Sequence, residues 1–257
     1  MIELKGISKT FAANTPDAMT LFSGFDLSVP ERQFVSVIGS NGSGKTTLLN
    51  LVCGQLGPDK GDILLHGEAI TKKEEFERAR SIGRVFQDPS KGSCPNLTIL
   101  ENMALADRKN QLYNLGRAIN RRRLAAYRGL LETCGMGLEN RLDVRVGALS
   151  GGQRQALALI LATMTDIRLL ILDEHTAALD PKSSETIMAL TDRYVREKRL
   201  TTLMVTHNLR HALQYGDRLC MMHEGKVVLD LEGEEKREAK IEDLLTIFNR
   251  ISIECGN

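Results

Sequence analysis

The chain has 257 residues, 42% of them apolar and 26% charged, an ordinary globular composition long enough for one large domain with a subdomain. A formal net charge of +1 gives no reason to expect an acidic polymer, and hence nucleic acid, as the main partner. No apolar run reaches the roughly 18 residues that span a bilayer, and the start, MIELKGISKTF, alternates and carries charge, unlike a signal or transit peptide.

The first elements alternate. IELKGIS, GFDLSV and then GDILLHGEAI predict antiparallel strands, with a turn at His66-Gly67. FVSVI (34–38), LLILD (169–173) and TTLMVT (201–206) are instead nearly continuous apolar runs, which suit a mostly parallel sheet covered on both faces. TTLLNLVCG follows the first run as a helix. PKSSETIMALTDRYVREK forms another between the second and third, with Pro181 in its first turn and Ile187, Leu190 and Tyr194 at helical spacing. This alternation predicts an α/β core.

Residues from about 90 to 150 carry little strand signal and read as a helical subdomain inserted into that core. Within it, Arg121-Arg122-Arg123 reads as a solvated helix face, with a phospholipid or nucleic-acid contact as the sharper alternative. At the C-terminal end, IEDLLTIFNRI places Ile241, Leu244, Leu245, Phe248 and Ile251 on one face of a docked amphipathic helix. The cysteines (Cys53, Cys94, Cys134, Cys220 and Cys255) form no CxxC pair. They read as reduced and mostly buried, with Cys255 the exposed exception, and as neither disulfides nor metal ligands.

Three motifs carry chemistry. GSNGSGKT fits G-x-x-x-x-G-K-[ST] from Gly39 to Thr46, between a buried strand and a helix start, the context a phosphate-binding loop needs. Gly39, Gly42 and Gly44 let the backbone turn, so that with Ser40, Asn41 and Ser43 it can aim N–H groups at phosphates; Thr47 continues the helix start. Lys45 can reach the β- and γ-phosphates, and the Thr46 hydroxyl is placed to ligate Mg²⁺. In LLILDE, Asp173 emerges at a strand end to hold Mg²⁺ through water, and Glu174 can accept a proton from an attacking water. ALSGGQRQALALILA is a second glycine-rich helix start, with Ser150 as cap before Gly151, Gly152 and Gln153. It has no lysine and no strand before it, so it suits one anionic end of a ligand held mainly elsewhere.

LSGGQ (149–153) between GSNGSGKT and LLILDE resembles the ATPase subunit of ATP-binding cassette transporters, over nearly the whole chain. The resemblance implies a P-loop NTPase (RecA-like) core with a mostly parallel sheet, an N-terminal antiparallel β-subdomain and an inserted helical subdomain. In numbers, 1–88 and 157–257 form the core with its β-subdomain, and 89–156 the helical subdomain. It also implies two subunits that sandwich two ATP molecules, each between one chain's phosphate loop and the other's LSGGQ. Gln87 in GRVFQDP resembles the glutamine that senses Mg²⁺ and water and couples to the permease. Asp180 in AALD resembles the dimer-interface aspartate, and His207 in MVTHN the switch histidine at the γ-phosphate. Phe11 stands where the family stacks an aromatic ring on adenine.

The implied function is a Mg²⁺-dependent ATPase, with ATP and Mg²⁺ as cofactors, that energises a separate membrane permease from the cytoplasmic face of the inner membrane. Its implied partners are a second, identical cassette, the permease and, indirectly, an extracytoplasmic substrate-binding protein. A lone ATPase chain without fused spans points to a bacterial importer, and LDEHTAALDPK resembles a subgroup whose binding proteins are similar to tryptophan/tyrosine binders. The alternative is a soluble ATPase of the same superfamily acting on nucleic acid or ribosomes. Such proteins carry tandem cassettes, coiled coils or zinc modules that this sequence lacks. A P-loop kinase would not need LSGGQ, and Glu174 argues against a non-hydrolysing scaffold. Two positions depart from the family pattern. His175 stands where proline is usual, free to tune Glu174 or touch the dimer partner, or to be a tolerated substitution. The glycine expected near Arg32 is missing.

Overall fold

A computed structural model describes residues 1–109 and 119–254, with side chains through 250. In chain order its strands and α-helices are β1 (Ile2–Phe11), β2 (Met19–Val29), β3 (Phe34–Gly39), α1 (Lys45–Cys53), β4 (Lys60–Leu65), β5 (Glu68–Ala69), α2 (Glu75–Arg78), β6 (Ile82–Val85), α3 (Ile99–Asp107), α4 (Leu124–Glu132) and α5 (Gly151–Thr163). They continue with β7 (Leu169–Asp173), α6 (Pro181–Lys198), β8 (Thr202–Val205), α7 (Leu209–Gln214), β9 (Arg218–His223), β10 (Lys226–Glu232), α8 (Gly233–Glu238) and α9 (Ile241–Glu254).

Two sheets form. One is antiparallel, in the order β2-β1-β4-β5; the other has the order β10-β9-β3-β8-β7-β6, parallel except for the β10 edge. The three continuous apolar runs are its central strands β3, β8 and β7. Alternation within them shows why they are apolar throughout. Leu170 and Leu172 face the core shared with α5 and α6, whereas Leu169 and Ile171 face the opposite core. That second core holds α1 between the sheets, with Leu48, Leu49 and Val52 packed among Ile2, Leu4, Phe22, Val35 and Val37. The helix behind the phosphate loop is thus clamped by apolar burial on both sides.

The β4–β5 turn lies at His66-Gly67 as expected, with φ of 52° and 79°, the left-handed pair that suits a tight hairpin. Between β6 and α5 the described elements are α3, α4 and four short 3₁₀ turns; residues 110–118 lie outside the described residues. Arg121–Arg123 is one of these turns rather than a helix face, and Arg123 pairs with Asp107.

Several expectations need revision. β6, β9 and β10 were not evident from apolar runs: β6 has four residues with a charge inside it, and β10 is a half-exposed edge. On α9, Leu244, Ile247 and Phe248 pack against α7 and β9, while Leu245 is 45% exposed, so Ile247 takes the place assigned to Leu245. The Ile251 side chain lies outside the described residues. Cys53, Cys134 and Cys220 are buried, but Cys94 is exposed; Cys255 lies outside the described residues.

Candidate active site

The phosphate loop begins where β3 ends. A side chain at Gly39 would place a Cβ 2.3 Å from the Met222 carbonyl oxygen, so only glycine fits there. Gly42 and Gly44 take φ of 78° and 104°, conformations that favour glycine. Gly44 is the residue before α1, and Lys45 and Thr46 open the helix, with Thr46 exposed toward the cleft. Lys45 is 5% exposed; its Nζ donates to the Gly39 and Ser40 carbonyls at 2.9 and 2.8 Å and to Ser43 Oγ at 3.3 Å. Burial lowers its pKa, and the Glu174 charge opposes that shift. The β9–β10 hairpin braces the loop: Gly225 N donates to Ser43 O at 3.0 Å, and His223 Nδ1 lies 3.4 Å from Ser40 Oγ.

An open cleft of about 670 Å³ borders this loop, and Thr46, Gln87, Asp173 and Glu174 all line it. Asp173 ends β7. Glu174 follows with φ 47°, a left-handed position unusual outside glycine, and its Oε1 lies 2.6 Å from His207 Nε2. His207 comes directly off β8, where Thr206 N donates to Val37 O, and Asn208 then caps α7 by accepting from His211 N. Gln87 is exposed just beyond β6, and its loop is tied to α5 because Gln155 Nε2 donates to Phe86 O at 3.1 Å. The Thr46 hydroxyl, Asp173 carboxylate and Gln87 amide oxygen are hard donors. Among the described residues no three His, Cys, Asp or Glu side chains cluster as a metal cage. Few protein oxygens beside a phosphate loop fit Mg²⁺, which keeps waters and phosphate oxygens as ligands.

The second glycine motif is elsewhere. Ser150 to Gln153 do not line this cleft. Ser150 caps α5, its Oγ accepting from Gln153 N, while Gln153 Oε1 accepts from Ser150 N, a reciprocal capping box. Asp180 caps α6 by accepting from Ser183 N at 3.0 Å, and the Ser183 hydroxyl first, then this backbone bond, hold its carboxyl below the usual range. Phe11 ends β1, paired with Met19 and half-buried.

One other residue was missed, and the two departures from the family pattern find physical reasons. His175 is 2% exposed and turned into the core, so it has no surface to offer a partner subunit. The Thr191 hydroxyl donates to Ile187 O at 2.8 Å, which leaves its oxygen to accept from His175 Nε2 at 3.2 Å. Burial, reinforced by His211, pushes the His175 pKa down to about 3. Arg32 takes φ 62°, which explains why glycine is usual there; its N donates to Thr201 Oγ1. Arg84 was not singled out at all, yet its Nη2 donates to Asp173 Oδ2 at 2.7 Å. The available signal was a charge inside the apolar stretch IGRVF, which must find a buried partner.

A phosphate loop at the end of a central parallel strand, with a carboxylate pair at the end of β7, two strands away, defines a P-loop nucleotide hydrolase. Comparison with known proteins narrows this. The family model described as ABC transporter matches residues 22–177, more than half of the chain. A tyrosine transport ATP-binding protein of Clostridioides difficile (strain R20291) is 47% identical over 96% of this chain and 98% of its own length. A putative hemin import ATP-binding protein of Staphylococcus haemolyticus (strain JCSC1435) is 34% identical over 89% and 99%. Among solved structures, an ADP conformation of an ATP-binding cassette superposes with TM-score 0.81 at 27% identity, over 100% of this chain and 99% of that one. A dimeric post-hydrolysis cassette bound to ADP and Pi gives 0.76 at 28%, over 90% and 98%. The chain belongs to the ABC transporter family; it is an ATPase that uses ATP with Mg²⁺.

Proposed function

We propose that the chain is the peripheral ATPase of a bacterial amino-acid importer, working as a homodimer beneath a separate permease from the cytoplasmic face of the membrane. The observation that carries the chemistry is the Glu174–His207 pair at 2.6 Å, whose Glu174 lines the cleft together with Thr46 and Asp173. The loop Gly39–Thr47 and Lys45 bind and orient the phosphates. Thr46, Gln87 and Asp173 would hold Mg²⁺, which would supply charge compensation to the phosphates. Glu174 accepts the proton of the in-line water, and His207 donates to the γ-phosphate side. Phe11 stacks on the adenine.

Ser150, Gly151, Gly152 and Gln153 close the nucleotide of the partner copy, and Asp180 meets that copy across the interface. Support comes from the dimeric cassette the chain resembles. Residues 89–156 serve as the helical subdomain that receives the permease, with Gln87 near its hinge. An aromatic amino acid as cargo rests on the tyrosine-transport relative, 47% identical over nearly its full length.

A tagged Glu174→Gln variant tests this reading. Phosphate release falls by about 10²–10⁴-fold while ATP still binds. From native membranes solubilised with ATP and Mg²⁺, mass spectrometry of the captured complex identifies a multi-span permease. Ribosomal or DNA-bound proteins without a permease would overturn the transporter reading in favour of the soluble class.

A further inference from the structure

Arg84 sits on β6, the edge strand beside β7, opposite Ile171 in the ladder. Its side chain is 10% exposed, and three residues hold it. Nη2 donates to Asp173 Oδ2 at 2.7 Å, and Nη1 donates to Asn50 Oδ1 at 3.1 Å and to Gln55 Oε1 at 3.0 Å. The guanidinium also lies 4.8 Å from the Phe86 ring centroid, one residue before Gln87. Asn50 belongs to the helix behind the phosphate loop and Asp173 to the strand facing it. One buried cation therefore joins the phosphate-loop helix, the metal-side carboxylate and the segment leading to Gln87.

Two consequences follow from this geometry. A planar guanidinium held at several points restricts the rotation of the carboxylate it binds. It takes Oδ2 of Asp173 and leaves Oδ1 for the metal side. It also shares the carboxylate's single negative charge, so a divalent cation meets a weaker field there. Phosphate oxygens supply most of the metal's counter-charge, so the effect on Mg²⁺ is about tenfold, the scale of one charge-assisted hydrogen bond.

We propose that Arg84 is a positioning residue for the metal site: it orients Asp173 through Oδ2 and, by sharing its charge, raises the Mg²⁺ concentration at which the nucleotide site is loaded. This rests on Asp173 serving the metal, as proposed above. Orientation and affinity then oppose each other, because the contact that sharpens the geometry loosens the ion.

The test uses the full chain, with protein in excess over ADP and Mn²⁺ as the probe, free Mn²⁺ being read by electron paramagnetic resonance. Arg84→Met binds Mn²⁺ about tenfold more tightly than wild type, while its kcat for ATP falls. Arg84→Lys, which keeps the charge, stays within about threefold of wild type in Mn²⁺ affinity. A merely structural role would weaken both quantities together. ADP binding in EDTA is the folding control, and Arg84→Gln replaces the Met variant if that control fails. Equal or weaker Mn²⁺ binding in a variant that still binds ADP would overturn the proposal. If Asp173→Asn leaves Mn²⁺ binding unchanged, it is the metal reading of Asp173 that falls, and the role of Arg84 with it.

Discussion

Glu174 holds a left-handed backbone conformation that costs a non-glycine residue roughly 1 kcal/mol or more. The neighbouring His175 explains how that conformation is held. Its ring is buried in the core and fixed by Thr191, so the chain turns inward immediately after Glu174 and leaves the carboxylate facing His207. Burial makes this histidine a liability in acid. Its folded pKa of about 3 lies below its unfolded value of about 6.5. Above pH 6.5 the ring is neutral in both states and contributes no pH dependence. Below it the unfolded chain takes up a proton that the folded chain refuses, so stability falls with pH until about pH 3. Between pH 7.5 and 5.5 wild type should lose about 1.4 kcal/mol more than a His175→Gln variant, as measured by urea denaturation. Equal losses would exclude His175 as the source. At this scale the phosphate loop and the DE pair were legible, because spacing alone defines them. His175 and Arg84 were not, because their roles depend on which face of a strand end or edge strand they occupy, and a single sequence shows neither.

At the scale of elements, α6 links the parts of the site. It is capped by Asp180, holds His175 through Thr191, and holds the buried His211 through Glu185, whose Oε1 lies 3.1 Å from His211 Nε2. His175 follows Glu174, and His211 lies one turn beyond His207. Both members of the pair are therefore referenced to the same helix. Thr191→Val keeps the shape but leaves the His175 N–H buried without its acceptor, which costs about 1–3 kcal/mol in denaturant unfolding. Phosphate release should fall, while nucleotide binding by the Lys45 loop persists in an equilibrium binding assay. A stability change within about 0.5 kcal/mol would show that the contact carries no weight. The central strands and α6 could be read from the sequence because continuous apolar runs and a Pro-led amphipathic pattern are strong local signals. The β9–β10 hairpin left only its Glu224-Gly225 turn as a clue, with φ of 43° and 73°. On α9 the packed face holds Leu244 and Phe248 as read, but Ile247 in place of Leu245, because which flank of the stripe is covered depends on α7 and β9, distant in sequence.

For the whole molecule, the division of labour between two glycine-rich helix starts predicts complementation. Lys45→Ala disables the chain's own phosphate loop, and Gly151→Asp places a carboxylate where the partner's phosphates would sit. Each variant alone should be inactive in phosphate release. Mixed copies should recover part of the wild-type rate, because one of the two composite sites then has an intact loop and an intact LSGGQ. A chain carrying both changes should not be rescued by either. Failure of the mixture, with dimers confirmed by light scattering, would argue for sites completed within one chain. Among the described residues no helix is long and apolar enough to cross a membrane.

The hairpin beneath the phosphate loop has a consequence for biosynthesis. Gly39 packs on the Met222 carbonyl, and Ser43 is bonded by Gly225, nearly two hundred residues later in the chain. Lys45 and Thr46 leave the ribosome long before the hairpin that supports them is made. Contacts of such long sequence separation form slowly and only after the intervening chain has folded. A partly synthesised chain therefore lacks these contacts, and a cassette cut short before the hairpin carries a complete phosphate-loop sequence without its brace.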